Sequence, residues 1–280
     1  MTPEWSMFVL FLAACAAGFL GALTGLGGGV VIVPVLMLAF GVDLRYAVGT
    51  SLIAVIATST GSAAAYVRDG FTNVRVGVLL EVATVVGAIG GALLAALLSP
   101  QFIVVLFVCA LFYSALATLR PPAPHPLESE PDALATKLQL DGVYPTKDGL
   151  TPYRVRNVPW AFVIMIGAGT LSAIVGIGSG IIKVLAMDRL MRLPFKVSTT
   201  TSNFMIGVTA AASAGVYFHR GQIDPRIAAP VAIGALCGSF LGAKILPHAK
   251  VKTLRVIFAI IVAIAGTQML MKGLNTTPNP

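Results

Sequence analysis

The stretch GALTGLGGGVVIVP, from Gly21 to Pro34, interrupts a long apolar run and decides how the chain is organised. Five glycines fall within its first nine residues. Glycine in a helix interior costs about 1 kcal/mol relative to alanine, so this cluster predicts a break between two helical segments. A similar stretch, SAIVGIGSGIIKV, returns at Ser172 to Val184 with a lysine added.

The composition around these two stretches is that of a polytopic membrane protein. Of 280 residues, 57% are hydrophobic and 11% charged, and the mean hydropathy is +0.90, whereas soluble domains carry about 25% charged residues. The net charge of +8 does not indicate a nucleic-acid partner, because the basic residues lie in short loops. Three cysteines, Cys15, Cys109 and Cys237, show neither metal-ligand spacing nor a disulfide pattern.

Ten apolar runs can be marked between turn and charge signals. Most have the roughly 17–25 residues that a membrane-crossing helix needs, and two short runs each follow a glycine cluster. The runs are 5–23, 30–40, 46–67, 76–98, 102–119, 159–175, 181–191, 197–218, 226–246 and 252–272. The sequence therefore predicts an all-α polytopic membrane protein with helices broken, or re-entrant, at the glycine clusters.

The second half of the chain repeats the first at a constant separation of 151 residues (176 − 25 = 202 − 51 = 217 − 66). Apolar composition alone does not keep glycines, a Thr-Ser pair and a tyrosine in one register without gaps, so an internal duplication is predicted. The matched pairs are Gly25/Gly176, Gly27/Gly178, Gly29/Gly180, Thr50/Thr201, Ser51/Ser202, Tyr66/Tyr217, Gly70/Gly221, Gly87/Gly238 and Gly91/Gly242.

The distribution of basic residues predicts an orientation. With an odd number of crossings per half, fourteen basic residues fall on one face and four on the other, so the first face is cytoplasmic by the positive-inside rule. Both termini are then periplasmic, the protein lies in the cell inner membrane, and the two repeats are inverted. We expect a first repeat at 1–120, a proline-rich cytoplasmic linker at 121–158 and a second repeat at 159–280.

The glycine clusters are the first candidate binding residues. Broken helices in inverted repeats commonly place a substrate site between the repeats, and glycine allows backbone to approach a ligand closely. The candidates are Gly25, Gly27, Gly28, Gly29, Gly176, Gly178, Ser179 and Gly180. Close helix packing explains the i, i+4 pairs Gly87/Gly91 and Gly238/Gly242 better.

Lys183 follows the second cluster within an apolar run, and its counterpart in the first half is Ile32. Charges inside membrane segments are costly and are functional candidates by default. We expect Lys183 to bind an anion or to be an ion-pair partner. The alternative is a side chain that reaches up to the membrane surface.

Hydroxyl-rich stretches open the segments that follow each short run, as VGTS at 48–51 and VSTTTSN at 197–203. Their side chains can donate to an oxyanion or cap and back-bond to the helix. The candidates for binding are Thr50, Ser51, Thr201, Ser202 and Asn203. Glu81 could couple transport to protons, but its place six residues into its run is more typical of a charge at the membrane interface.

These residues resemble the TauE/SafE family of sulfite exporters, also described as toluenesulfonate uptake permeases. The resemblance lies in GFLGALTGLGGGVVIVPVL, in GAGTLSAIVGIGSGIIKVLAM and in the Thr-Ser start after each, and it covers about residues 5–119 and 159–272. It implies transport of sulfite, organosulfonates or related anions across the inner membrane. The long linker departs from the compact one expected, so the substrate stays open.

The sequence thus favours a secondary transporter of small sulfur-containing anions that works by alternating access. An anion channel lined by the same residues, or an uptake permease for another small organic anion, is the alternative. We expect a small anionic substrate, the lipid bilayer and a proton or sodium coupling ion as partners, with a homodimer left open. We expect no enzyme activity, cofactor or metal, because no His, Cys or carboxylate cluster falls within the apolar runs.

Overall fold

The computed structural model of the chain describes residues 3–24, 27–119, 132–146, 149–176, 178–245, 259–260, 263–269 and 271. The part before the linker forms five helices: α1 (Pro3–Thr24), α2 (Gly29–Ala39), α3 (Leu44–Arg68), α4 (Val74–Ala95) and α5 (Pro100–Leu119). The linker contributes α6 (Ala133–Lys137), β1 (Gly142–Thr146) and β2 (Gly149–Tyr153). Four more helices follow, namely α7 (Val158–Val175), α8 (Gly180–Leu185), α9 (Phe195–His219) and α10 (Pro225–Ile245).

The predicted all-α polytopic membrane fold is confirmed. Within the described residues, five helices are long and apolar enough to cross a membrane: Trp5–Thr24, Leu44–Arg68, Val74–Ala95, Val158–Val175 and Pro225–Ile245. The first nine predicted runs each correspond to a helix. Most of the tenth, 252–272, lies outside the described residues, although 259–260, 263–269 and 271 are helical.

Both glycine clusters interrupt helices, as predicted. α1 ends at Thr24 and α2 begins at Gly29, while α7 ends at Val175 and α8 begins at Gly180. α8 continues directly into a π-helical turn, Ala186–Leu190. Each short helix is too short to cross the hydrocarbon core by itself.

Glycines let α1 pack closely on α10 and α4 pack closely on α7. A Cβ atom on Gly238 would lie 1.8 Å from the carbonyl oxygen of Cys15, and one on Gly87 would lie 2.0 Å from that of Ile166. A Cβ atom on Gly91 would lie 2.3 Å from the Thr170 carbonyl oxygen, and one on Gly242 would lie 2.7 Å from that of Phe19. The predicted packing role of these four glycines is confirmed.

Some contacts recur at the 151-residue separation found in the sequence. The Tyr66 hydroxyl donates to the Ala22 carbonyl at 3.1 Å, and the Tyr217 hydroxyl donates to the Ala173 carbonyl at 2.9 Å. α3 and α9 pack side by side in opposite directions, since Gly49 near the start of α3 adjoins Gln222 just after α9. This is compatible with inverted repeats, and inversion of the two halves as a whole stays a prediction.

The described linker is more ordered than its prolines suggest. β1 and β2 form an antiparallel hairpin in which Gly142 pairs with Tyr153 and Thr146 with Gly149. Asn73, just before α4, donates from its amide to the Leu140 carbonyl at 2.7 Å and to the Tyr153 hydroxyl at 2.9 Å. The hairpin therefore covers the start of α4 and is the one β element among the described residues.

Candidate functional site

Left-handed backbone turns form the two breaks in the helices. The φ angle is +74° at Gly27, +74° at Gly176 and +82° at Gly178, and also +48° at Ser179, which is not glycine. A non-glycine residue in this conformation costs roughly 1–2 kcal/mol, and such strain is found at functional sites. Gly25 lies outside the described residues.

α3 and α9 hold the second break, Gly176–Ser179, from two sides. The Ser51 hydroxyl on α3 lies 2.8 Å from the Gly176 carbonyl oxygen, and the Ser202 hydroxyl on α9 donates to the Gly180 carbonyl at 3.3 Å. A Cβ atom on Gly176 would lie 2.6 Å from Ser51 Oγ. The predicted residues Ser51, Ser202, Gly176 and Gly180 are thus brought together.

The first break packs against the middle of the same helix pair. Gly27 adjoins Val55 of α3 and Ile206 of α9, and Gly28 adjoins the Thr58 hydroxyl. Gly29 begins α2 and is buried. Both breaks therefore lie along the α3–α9 contact.

Three other candidate polar residues have separate surroundings. Thr201 accepts from the Asn73 backbone N–H at 3.0 Å, near the linker hairpin. The Asn203 amide donates to the Ala22 carbonyl at 3.0 Å, near the end of α1. Thr50 is fully buried, and its hydroxyl has no hydrogen-bond partner.

Lys183 does not reach the membrane surface, because its side chain is 0% exposed. Its ammonium donates to the Thr209 hydroxyl at 2.5 Å and lies 3.6 Å from Glu81 Oε2. Thr209 in turn donates to Glu81 Oε1 at 2.5 Å, and Thr84 Oγ1 lies 3.3 Å from Thr209 Oγ1. We call Glu81, Thr84, Lys183 and Thr209 the charge cluster.

The interpretation of Glu81 as an interface charge is wrong. Glu81 is 7% exposed. The linker hairpin covers the start of α4, and the helices α7 and α9 pack along the side of α4. The sequence shows an acid in an apolar run but contains no signal that pairs it with Lys183. The charges lie on α4 and α8, far apart in the chain.

A cavity beside the second break is lined by three serines that have no hydrogen-bond partner. Ser114, Ser172 and Ser179 are all buried, and they line a space of about 410 Å³ that includes volume open to solvent. The remaining lining is mostly apolar and includes Leu171 and Ile181. Ser114 and Ser172 were not predicted from the sequence. The one signal for them is that their counterparts 151 residues away, Ala265 and Gly21, lack a hydroxyl.

A second cavity carries two arginines on the predicted periplasmic side. Arg45 and Arg220 line a space of about 260 Å³, again including open solvent, together with Val48 and Ile174. Val48 also contacts Gly176 at the second break. The second break is therefore bordered by one cavity with cations and one with unpaired hydroxyls.

The described residues contain no group of three or more His, Cys, Asp or Glu side chains placed to hold a metal ion.

The known proteins that are similar to this chain are described as probable membrane transporters. The family model described as Sulfite exporter TauE/SafE matches residues 10–269. The chain is 28% identical to the probable membrane transporter protein YunE of Bacillus subtilis, over 96% of this chain and 99% of that protein. It is 27% identical to the probable membrane transporter protein YdhB of the same organism, over 94% and 98%, and no solved structure matches it. A membrane protein with paired helix breaks that matches this model over nearly its whole length belongs to the TauE/SafE family of membrane transporters.

Proposed function

We propose that this protein is a secondary transporter that moves small sulfur-containing anions, such as sulfite or an organosulfonate, across the cell inner membrane by alternating access. The family's description as a sulfite exporter supports the substrate class. The single observation that carries the proposal is the second break, Gly176–Ser179, with cavities on two sides.

The two cavities provide what an oxyanion needs. Arg45 and Arg220, which line one cavity, attract negative charge. Ser114, Ser172 and Ser179 can each donate a hydrogen bond to a sulfur oxyanion, and their hydroxyls have no other partner. The apolar remainder of that cavity suits the organic part of a sulfonate.

The α3–α9 pair is the proposed pivot. Both breaks pack along it, so a rocking motion of the two halves about these helices exposes the second break to one side of the membrane and then to the other. Lys183 contributes to this site from one helical turn away, with its charge balanced by Glu81.

The experiment is transport by purified protein in liposomes, with labelled sulfite and labelled methanesulfonate. We expect uptake of at least one anion and accelerated exchange when the same anion is preloaded inside. Electrodiffusive flux without accumulation or exchange would indicate a channel, and no flux of either anion would refute the proposed substrate class.

Substitutions in the serine-lined cavity test whether transport depends on its hydroxyl groups. Ser172→Ala and Ser179→Gly remove one hydroxyl each, and Ser179→Gly introduces the residue found at the equivalent position, Gly28. We expect both to raise the KM for the anion. Thr136→Ala, at an exposed residue of α6, is the control and should transport as the unsubstituted protein does.

A further inference from the structure

The Glu81–Lys183 ion pair joins the two halves of the chain, and the internal repeat contains no equivalent charged pair. The positions 151 residues away from Lys183 and Glu81 carry Ile32 and Ala232, whereas Thr209 corresponds to another threonine, Thr58. A buried ion pair is a costly element of structure, and the equivalent positions, Ile32 and Ala232, pack without one. The pair therefore calls for a functional explanation.

We propose that Glu81 is the proton carrier of this transporter: it is ionised while paired with Lys183 and protonated when the substrate anion is bound. Anion and proton then cross the membrane together. This inference rests on the proposed function and adds the coupling ion and the direction of transport.

The geometry leaves one carboxylate oxygen ready to accept a proton. Glu81 Oε1 accepts the Thr209 hydrogen bond at 2.5 Å. Glu81 Oε2 is buried without a hydrogen-bond partner and lies 3.6 Å from the Lys183 ammonium. A proton can therefore be added at Oε2 without breaking a hydrogen bond.

α8 connects the charge cluster to the serine cavity. Ser179 lines the cavity, and the Lys183 backbone N–H donates to the Ser179 carbonyl at 3.1 Å. The two residues are one helical turn apart, and Ile181 and Ile182 between them also line the cavity. An anion bound at Ser179 consequently competes with Glu81 for the charge of Lys183.

One lysine can balance only one of these two negative charges. An ionised carboxylate left alone in a low-dielectric interior is so unfavourable that it neutralises by taking up a proton. Anion binding near Ser179 therefore favours proton binding at Glu81, and release of the anion favours release of the proton.

Among the described residues, Lys183 is the charged group found in contact with Glu81. The linker over the start of α4 carries Asp141, whose carboxylate accepts from the Val155 N–H, and Tyr153, which contacts Asn73. α7, which packs on α4, has no ionisable side chain, and those of α9 lie at its ends, at Lys196, Tyr217 and His219. Arg75 lies at the exposed start of α4. Asp188 and Arg189 follow Lys183 by five and six residues, in the π-helical turn, and neither is without a partner.

Because a proton crosses with the anion, the proton gradient sets the direction in which the anion is transported. A monoanion that moves with one proton crosses without net charge, and a proton gradient directed into the cell drives it inward. A pH difference of about one unit then supports roughly a tenfold concentration ratio of the anion. The protein is accordingly an importer under such a gradient.

The test is accumulation in liposomes with the outside more acidic, using methanesulfonate because it stays ionised across this pH range. We expect accumulation that follows the pH difference. Glu81→Gln should lower the ratio of gradient-driven accumulation to exchange at least severalfold, while Asp69→Asn, at an exposed carboxylate, should leave this ratio as it is.

A second measurement covers the case in which Glu81→Gln does not fold. The double variant Glu81→Ala/Lys183→Ile introduces the residues found at the repeat-equivalent positions, Ala232 and Ile32, and removes both charges. In detergent solution, methanesulfonate should cause proton uptake by the unsubstituted protein, read with an indicator dye, and none by the double variant.

The outcomes separate this inference from the proposed function. If neither sulfite nor methanesulfonate is transported, the proposed function and the inference both fail. If transport occurs but follows a sodium gradient, or if Glu81→Gln keeps full pH-driven accumulation, the proton carrier is wrong and the transporter proposal stands.

Discussion

Lys183 and Glu81 sit in the protein interior with Thr209 bridging them through two hydrogen bonds. Their mutual attraction offsets the cost of removing both charges from water. Loss of one partner leaves the other charge buried without compensation, whereas loss of both leaves an apolar contact. The contribution of each residue to the free energy of unfolding therefore depends on whether the other residue is present.

Lys183→Ala should lower the free energy of unfolding by about 3–5 kcal/mol, the usual cost of breaking a buried pair. Glu81→Ala/Lys183→Ile should recover most of this loss. Denaturation in detergent micelles measures both, with Arg68→Ala as the control, since the Arg68 side chain is 81% exposed. Equal stability of the single and double variants would contradict the pairing.

The sequence alone points to Lys183, because a charge in an apolar run is conspicuous in any membrane protein. It could not pair Lys183 with Glu81, since the contact depends on how α4, α8 and α9 pack. Ser172 and Ser114 were missed for a related reason. A serine in a membrane helix usually bonds to its own helix, and only the structure shows that these hydroxyls have no partner.

At the scale of helices and strands, the bounds of most helices follow from apolar runs and glycine clusters, which local sequence determines. The linker hairpin was not predicted, because two prolines lie in its strands, Pro145 and Pro152, and proline usually argues against a strand. Both lie in a two-stranded hairpin, where each strand has a free edge.

Gly87 and Gly90 offer a matched comparison on α4. A Cβ atom on Gly87 would lie 2.0 Å from the Ile166 carbonyl oxygen, while one on Gly90 meets nothing within 4 Å. Gly87→Ala should destabilise the protein by about 1–3 kcal/mol through overpacking. Gly90→Ala should be neutral or stabilising by up to about 1 kcal/mol, as measured by thermal unfolding in detergent.

The linker hairpin should respond to alkaline pH through Tyr153. Burial, with a smaller contribution from Asp141, raises the pKa of the Tyr153 phenol from 10.0 to about 12. The folded state thus holds this proton more tightly than the unfolded state. The resulting stabilisation is complete below pH 10.0 and is lost as the pH rises through about 12.

Absorbance titration of the unsubstituted protein and of Tyr153→Phe measures this directly. The difference between the two curves should show one phenol that ionises near pH 12. A difference curve centred on the ordinary value for tyrosine would mean that the hairpin does not bury this side chain.

At the scale of the whole molecule, the predicted orientation can be tested with single cysteines. In a variant without the native cysteines, Ser99→Cys between α4 and α5 should react with a membrane-impermeant maleimide in intact cells. Asp69→Cys between α3 and α4 should react only after the cells are opened. Both positions are exposed, so the opposite pattern would reverse the orientation.

The close packing of α1 on α10 and of α4 on α7 crosses between the predicted halves. In the first half, α1 and α4 therefore lack these packing partners until α7 and α10 of the second half have been synthesised. A chain that stops within the linker leaves the glycine faces of α1 and α4 facing lipid. Two separately expressed fragments, divided in the linker, should each be degraded alone and should restore a working protein only when produced together.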